Sequence, residues 1–273
     1  MTGRNVFVAG GFSAIPSRTI RFLEEASRLG SLHVLLWAVE SDANTPGGPV
    51  TLTLPERHYI LAHDRYVSTV TVTEDGAGRS GLPLHTGMRP DVWAVEEWND
   101  LSSRRDFCRA HGIEYRVIRS AELQGFPSVP PPSRHSGRKK VVVTGCFDWF
   151  HSGHVRFFEE ASAYGDLYVV VGSDSNLRLL KGEGHPLFPQ EERRYLVQSV
   201  RFVTQALIST GTGWMDAEPE IERIRPDIYL VNEDGDQPEK RDFCKQHGLE
   251  YVVLTREPKP GLPPRRSTDL RGF

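Results

Sequence analysis

The chain has 273 residues, 38% hydrophobic and 25% charged, which suffices for one large core or two ordinary ones and excludes a disulfide-stapled module or a disordered tail. Its 33 Lys and Arg against 36 Asp and Glu leave a net charge of -3, so no overall basic footprint for a nucleic-acid backbone exists. Three cysteines, Cys108, Cys146 and Cys244, match neither a secreted disulfide framework nor a zinc-ligand spacing, and no apolar run reaches the ~18 residues of a membrane span, so a cytoplasmic protein without membrane insertion is expected.

Residues 6–9 read as a short apolar strand, followed by a Gly-containing turn, an amphipathic helix around RFLEEAS and a second apolar run, LHVLLWAV. Strand, turn, helix and strand within about 30 residues make a βαβ unit, whose parallel strands are buried on both faces and are therefore nearly continuously apolar. The pattern then repeats. Residues 6–34 align with 141–169, with RFxEEAS in register, and 89–115 align with 225–251, at an offset of 135 to 136. A nearly constant offset over the whole half means two complete copies of one domain. The prediction is an α/β protein with two tandem Rossmann-like domains built on parallel sheets, residues 1–120 and 139–273. Residues 121–138 are a linker whose FPSVPPPSRHSGR prolines block helix and sheet pairing.

In the second copy the remaining elements are a helix over 190–200, a strand near 202–208, a helix over 219–224, a strand at 227–231, a helix over 238–247 stopped by Gly248, and a strand at 251–254. Residues 258–264 are loop, and the following RRSTDLR could start a short helix capped by Ser267 or Thr268.

After the first strand of the second copy stands Gly145-Cys146-Phe147-Asp148-Trp149-Phe150-His151-Ser152-Gly153-His154. Glycines admit close backbone approach, and the N-terminus of a helix after a strand offers N–H groups and a positive dipole end to phosphate oxygens. His151 and His154, three residues apart on the opening turn, can face one anion. The segment resembles the HxGH signature of the cytidylyltransferase-like nucleotidyltransferases, and the resemblance extends over nearly all of residues 139–273.

That resemblance implies a Rossmann-like nucleotidyltransferase domain that transfers a nucleoside monophosphate from a nucleoside triphosphate to a small phosphorylated alcohol or sugar and releases pyrophosphate. It assigns His151 to orienting the β- and γ-phosphates, His154 to charge at the transferring phosphorus, and Lys181 with Arg193 to clamping anionic oxygens. Nucleotide contacts are expected from Gly145, Cys146, Phe147, Asp148, Gly153, Arg266, Ser267 and Thr268. Mg²⁺ would mask triphosphate charge, with Asp148 as its contact. Where relatives carry Gly-Asp-Asp or Gly-Gly-Asp, this chain has Asn232-Glu233-Asp234-Gly235-Asp236, which makes Asn232, Glu233 and Asp236 candidates for base or acceptor contacts. The tandem layout resembles the ethanolamine-phosphate cytidylyltransferases and favours CTP. LKGEGHPLFPQEER is similar to an adenylyltransferase domain acting on a heptose phosphate, which keeps ATP as the alternative.

The first copy lacks this chemistry: Pro16, Arg18 and Thr19 stand against His151, Gly153 and His154, Ser13 stands against Asp148, and TPGGPV replaces the Lys181 loop. It is expected to be a non-catalytic domain forming an intramolecular pseudo-dimer with the second, with a further homodimer left open. Arg57 aligns with Arg193 and Asp91 with Asp227. Cys108 and Cys244, at equivalent positions, read as core residues, Cys146 as no nucleophile, and His111 and His247 as helix-end caps. Trp98, Trp149 and Trp214 read as core or interface residues. The competing reading is a nucleotide-binding or structural protein that has kept the fold without catalysis.

Overall fold

A computed structural model describes residues 3–38, 52–73, 81–82, 87–128 and 136–265, and the chain divides into two compact units, Met1–Gly125 and Phe126–Phe273. The first unit runs β1 (Asn5–Gly10), α1 (Ser17–Ser27), β2 (Ser31–Trp37), α2 (Leu54–Ala62), β3 (Thr69–Thr73), β4 (Val92–Glu96), α3 (Ser102–His111) and β5 (Glu114–Ile118). Its parallel sheet has the order β3-β2-β1-β4-β5. The second unit runs β6 (Lys140–Gly145), α4 (Ser152–Tyr164), β7 (Asp166–Val171), α5 (Asp174–Lys181), α6 (Gln190–Ser199), β8 (Val203–Ile208), α7 (Glu218–Ile224), β9 (Ile228–Asn232), α8 (Pro238–His247) and β10 (Glu250–Leu254). Its sheet is also parallel, in the order β10-β9-β6-β7-β8.

The central strands are apolar because helices cover both faces: Val141, Val142 and Val143 of β6 and Val6 of β1 are fully buried. Both units therefore have the same strand order, and the α/β reading with two Rossmann-like sheets holds. In each, the chain leaves the middle strand toward one edge and then crosses back to the other side. In the second unit this opens a crevice beyond the carboxyl ends of β6 and β9, the place where open α/β sheets bind ligands.

The repeated motifs turn out to be scaffold. On α4, Arg156 pairs with Glu159 at 3.0 Å and Glu160 at 2.6 Å, and on α1 Arg21 pairs with Glu24 and Glu25. Cys108 and Cys244 lie in the two cores beside Trp93 and Tyr229, where burial pushes both thiols up to about 11. Helices α3 and α8 end alike, with Gly112 and Gly248 at φ 64° and 67°, so that the next residue donates its N–H back to Cys108 or Cys244 at 2.9 Å.

Some expectations shift. Helix α6 stops at Ser199 and β8 starts at Val203, because Val200 takes an extended backbone, φ -72° and ψ 126°, and receives the N–H of Val203 at 3.0 Å. Helix α5 is an element that apolar periodicity missed; Ser173 caps it by accepting from the Asn176 N–H at 3.3 Å. The expected linker is partly structured: residues 120–123 form a 3-10 turn, and the Phe126 ring packs 5.6 Å from that of Tyr195 while its carbonyl accepts from Arg194 at 3.2 Å. The TPGGPV segment and the expected cap at Ser267 or Thr268 lie outside the described residues.

Candidate active site

A cleft of about 650 Å³ occupies the crevice of the second unit. Its floor is Thr144 and Gly145 at the end of β6 with Val231 and Asn232 at the end of β9, and His154, Lys181, Lys240 and Arg256 surround it. A smaller cavity of about 330 Å³ adjoins it between α4 and the segment 256–265, and Gly153, Asn232, Glu233 and Arg256 border both.

The turn leading into α4 is strained to shape this end. Phe147 sits in the left-handed region at φ 53°, and its ring lies so close over Gly145 that a Cβ there would be 2.8 Å from it. Phe12 repeats this conformation at φ 52° in the first unit. The strained turn thus belongs to the fold, and the histidines are what the second unit adds.

His151 is fully buried and caps α4, its Nδ1 accepting the Gly153 N–H at 3.1 Å. The His154 ring stacks on it, centroids 3.9 Å apart, and accepts the His151 backbone N–H at Nδ1 over 3.4 Å. With Nδ1 an acceptor, the neutral His154 ring carries its proton on Nε2. Burial first, then the neighbouring His151 and Arg256, hold the His154 pKa well below the usual 6.5. Gly153 is required by the same arrangement, since a Cβ there would lie 2.9 Å from the His151 ring. His154 lines the cleft, and His151 packs against the ring that does so.

Arg193 is a correction. It is fully buried and donates to Phe188 O at 2.9 Å, Cys146 O at 2.7 Å, Gly172 O at 2.8 Å and Asp174 Oδ1 at 2.7 Å. Four of its five donors tie the β6 turn, the end of β7 and the start of α5 together, so it is no phosphate clamp. Its counterpart Arg57, also buried, donates to Gly11 O and to Trp37 O at 3.0 Å. Asp236 is a second correction: it lies off the cleft, accepting from Arg241 Nε at 2.8 Å and the Tyr251 hydroxyl at 3.0 Å, as Asp100 does from Arg105 and Tyr115.

Asp148, 5% exposed, accepts at Oδ1 from the Leu187 and Phe188 N–H groups at 2.8 and 3.0 Å and so pins the loop before α6. Among the described residues no three His, Cys, Asp or Glu side chains converge to hold a metal. Gly145, Cys146, Phe147, Gly153 and Lys181 do line the cleft, with Asn232 and Glu233. Arg266, Ser267 and Thr268 lie outside the described residues.

Sequence reasoning missed Lys240, Arg256, Asp216, Asn176 and Trp214, all cleft residues. Lys240 donates to Gly235 O at 2.9 Å, and burial lowers its pKa from 10.5 against the opposing pull of Asp216, Asp234 and Asp236. Arg256 pairs with Asp234 and donates to Arg265 O at 2.8 Å, holding the following segment along the cleft. Trp214, expected as a core or interface residue, is 60% exposed at the rim, so it is not part of the core.

A cleft at the switch point of a parallel sheet, lined by a histidine from the opening turn of α4 and by Lys181, Lys240 and Arg256, is where open α/β domains bind their ligands. The sequence pattern of cytidylyltransferase-like proteins matches residues 142–271. A FAD synthase of Ferroglobus placidus is 36% identical over 119 residues, 42% of this chain and 74% of that protein. A FAD synthase of Methanocella arvoryzae is 30% identical over 136 residues, 49% of this chain and 93% of that one. The bifunctional protein HldE of Alcanivorax borkumensis is 35% identical over 126 residues, 45% of this chain and 26% of HldE, so the match spans about a quarter of that protein. The chain belongs to the cytidylyltransferase-like family, whose nucleotide-transfer chemistry supports a transferase. No described helix is long and apolar enough to cross a membrane.

Proposed function

We propose that the second unit transfers a nucleoside monophosphate, CMP from CTP, to a small phosphorylated alcohol or sugar and releases pyrophosphate. The observation that carries this reading is His154, which stacks on His151 and lines the cleft at the N-terminus of α4. A phosphate oxygen of the acceptor attacks the α-phosphorus, the bond from that phosphorus to the bridging oxygen breaks, and the electron pair leaves on pyrophosphate. The attacking oxygen is already anionic near neutral pH, so positioning and charge stabilisation suffice. His154, on the opening turn of α4, binds the charge developing on the α-phosphate. Lys181, Lys240 and Arg256 supply the positive field around the cleft. Mg²⁺ enters with the triphosphate as part of the substrate.

A second reading, AMP transfer from ATP, is supported by the likeness to proteins named FAD synthase, a name that specifies an adenine dinucleotide. Incubation with CTP or ATP, Mg²⁺ and a panel of phosphorylated acceptors decides between them by pyrophosphate release. Release with one nucleotide and one acceptor class, abolished in His154→Ala, is the expected result. Nucleotide binding with no release on any acceptor would return the protein to the non-catalytic reading. The first unit, in this proposal, is a catalytically inactive copy that completes a pseudo-dimer.

A further inference from the structure

Among the described residues the two sheets end in β3 and β5 and in β8 and β10, and an edge strand presents N–H and C=O groups that another strand can bond. Three of these edges are guarded. β5 carries Glu114 and Arg116, ion-paired with Arg4 and Glu122, and β10 carries Glu250, paired with Lys139 at 2.8 Å. On β8 the Ala206 N–H is taken by Gln198 Oε1 of α6 at 2.7 Å. β3 has none of these devices. Its residues, Thr-Val-Thr-Val-Thr over 69–73, are uncharged, and Ala62 of α2 stands where Gln198 does when the copies are aligned on Arg57 and Arg193. Thr69, Thr71 and Val72 are exposed. Ser68 donates its N–H to Leu32 O at 2.8 Å, so alternate residues from Ser68 bond to β2, and Thr69 and Thr71 turn their backbone groups to the outer edge. Among the described residues no backbone group bonds to them there.

We propose that this edge is the contact between two copies of the chain, β3 of one pairing antiparallel with β3 of the other. The strand itself argues for a second copy as the occupant, because TVTVT reads the same in both directions. An antiparallel pair with its two-fold axis at Thr71 sets each Val70 against Val72, each Thr69 against Thr73, and Thr71 against itself. Every facing pair is then matched in shape and free of charge, so nothing repels across the axis and the valines leave water together. In the same register the outward backbone groups meet each other, and the two Thr71 residues exchange both N–H···O bonds. Two five-stranded sheets become one continuous sheet, and both open edges are covered. The contact lies in the first unit and does not depend on the nucleotidyl-transfer reading.

The test is sedimentation velocity of the full chain from low to high micromolar concentration, alongside substitutions at the axis. Wild type is expected as a dimer that dissociates on dilution. Thr71→Lys sets two like charges opposite each other, and Thr71→Pro removes an N–H that β2 does not use; both should sediment as monomers over the same range. In the proposed register the two Thr71 Cα atoms lie about 5.5 Å apart, within disulfide reach. Thr71→Cys should therefore form a covalent dimer under mild oxidation, above the background of wild type, whereas Val72→Cys, which faces position 70, should not. A wild type that stays monomeric at high micromolar concentration overturns the proposal. So does a dimer that persists in Thr71→Lys, or one that does not cross-link through position 71, since either places the contact elsewhere. The cross-link and the wild-type sedimentation are read without a proline or a charge in the strand, so misfolding of Thr71→Pro or Thr71→Lys does not shield the proposal.

Discussion

In the proposed transfer His154 acts as a neutral donor, because its other ring nitrogen and one ring face are already taken by His151. This has a cost that pH reveals. Its folded pKa lies below 6.5, so as pH falls through about 6.5 the unfolded chain takes up the proton first and the folded state loses relative stability; above that pH the contribution of the neutral ring is complete. His154→Gln should therefore flatten the fall in unfolding free energy between pH 7.5 and 5.5 measured by urea titration, by at most about 1.4 kcal/mol per pH unit. Arg193 gives the opposite kind of prediction. Arg193→Ala strands three backbone carbonyls and the Asp174 carboxylate, and should lower stability by about 3 kcal/mol or more by the same measurement. From sequence, a buried structural arginine and a phosphate-binding one look the same. The available signal was its recurrence as Arg57 in the copy that lacks counterparts of His151 and His154, and the same signal applied to Asp236 through Asp100.

At the level of elements, both sheets and most helices were legible because a parallel strand buried on both faces must be apolar throughout, and because α3 and α8 each stop at a glycine in the left-handed backbone. Helix α5 was missed, since its DSNLRLLK segment has a single turn of apolar residues and starts from a serine cap. The cleft cations Lys240 and Arg256 were also missed: they come from α8 and from the chain after β10, and only the sheet order brings them beside α4. The start of α4 is where a small change should matter most. Gly153→Ala places a Cβ 2.9 Å from the His151 ring and displaces the stacked His154, so turnover should drop by about tenfold or more, in line with the loss of a well-positioned donor. Arg18→Ala, at the equivalent position of α1, removes an ion pair whose arginine is 43% exposed. Its effect on thermal stability should stay within about 1 kcal/mol, and turnover should not change.

For the whole chain, 273 residues hold two copies of one fold with different surviving chemistry. Both copies keep the strained phenylalanine turn, the buried arginine and the aspartate–arginine–tyrosine tie, and the second alone has the stacked histidines. One nucleotide per chain is the stoichiometry this division predicts in isothermal titration; two sites of similar affinity would contradict it. The central claim is that His154 in the second unit carries nucleotidyl transfer and that its counterpart Thr19 does not. Pyrophosphate release measured side by side for wild type, His154→Ala and Thr19→Ala, with the acceptor that supports turnover, tests it directly. A loss of about 10²- to 10³-fold in His154→Ala and wild-type rates in Thr19→Ala are expected. Wild-type rates in His154→Ala, or a comparable loss in Thr19→Ala, would contradict it.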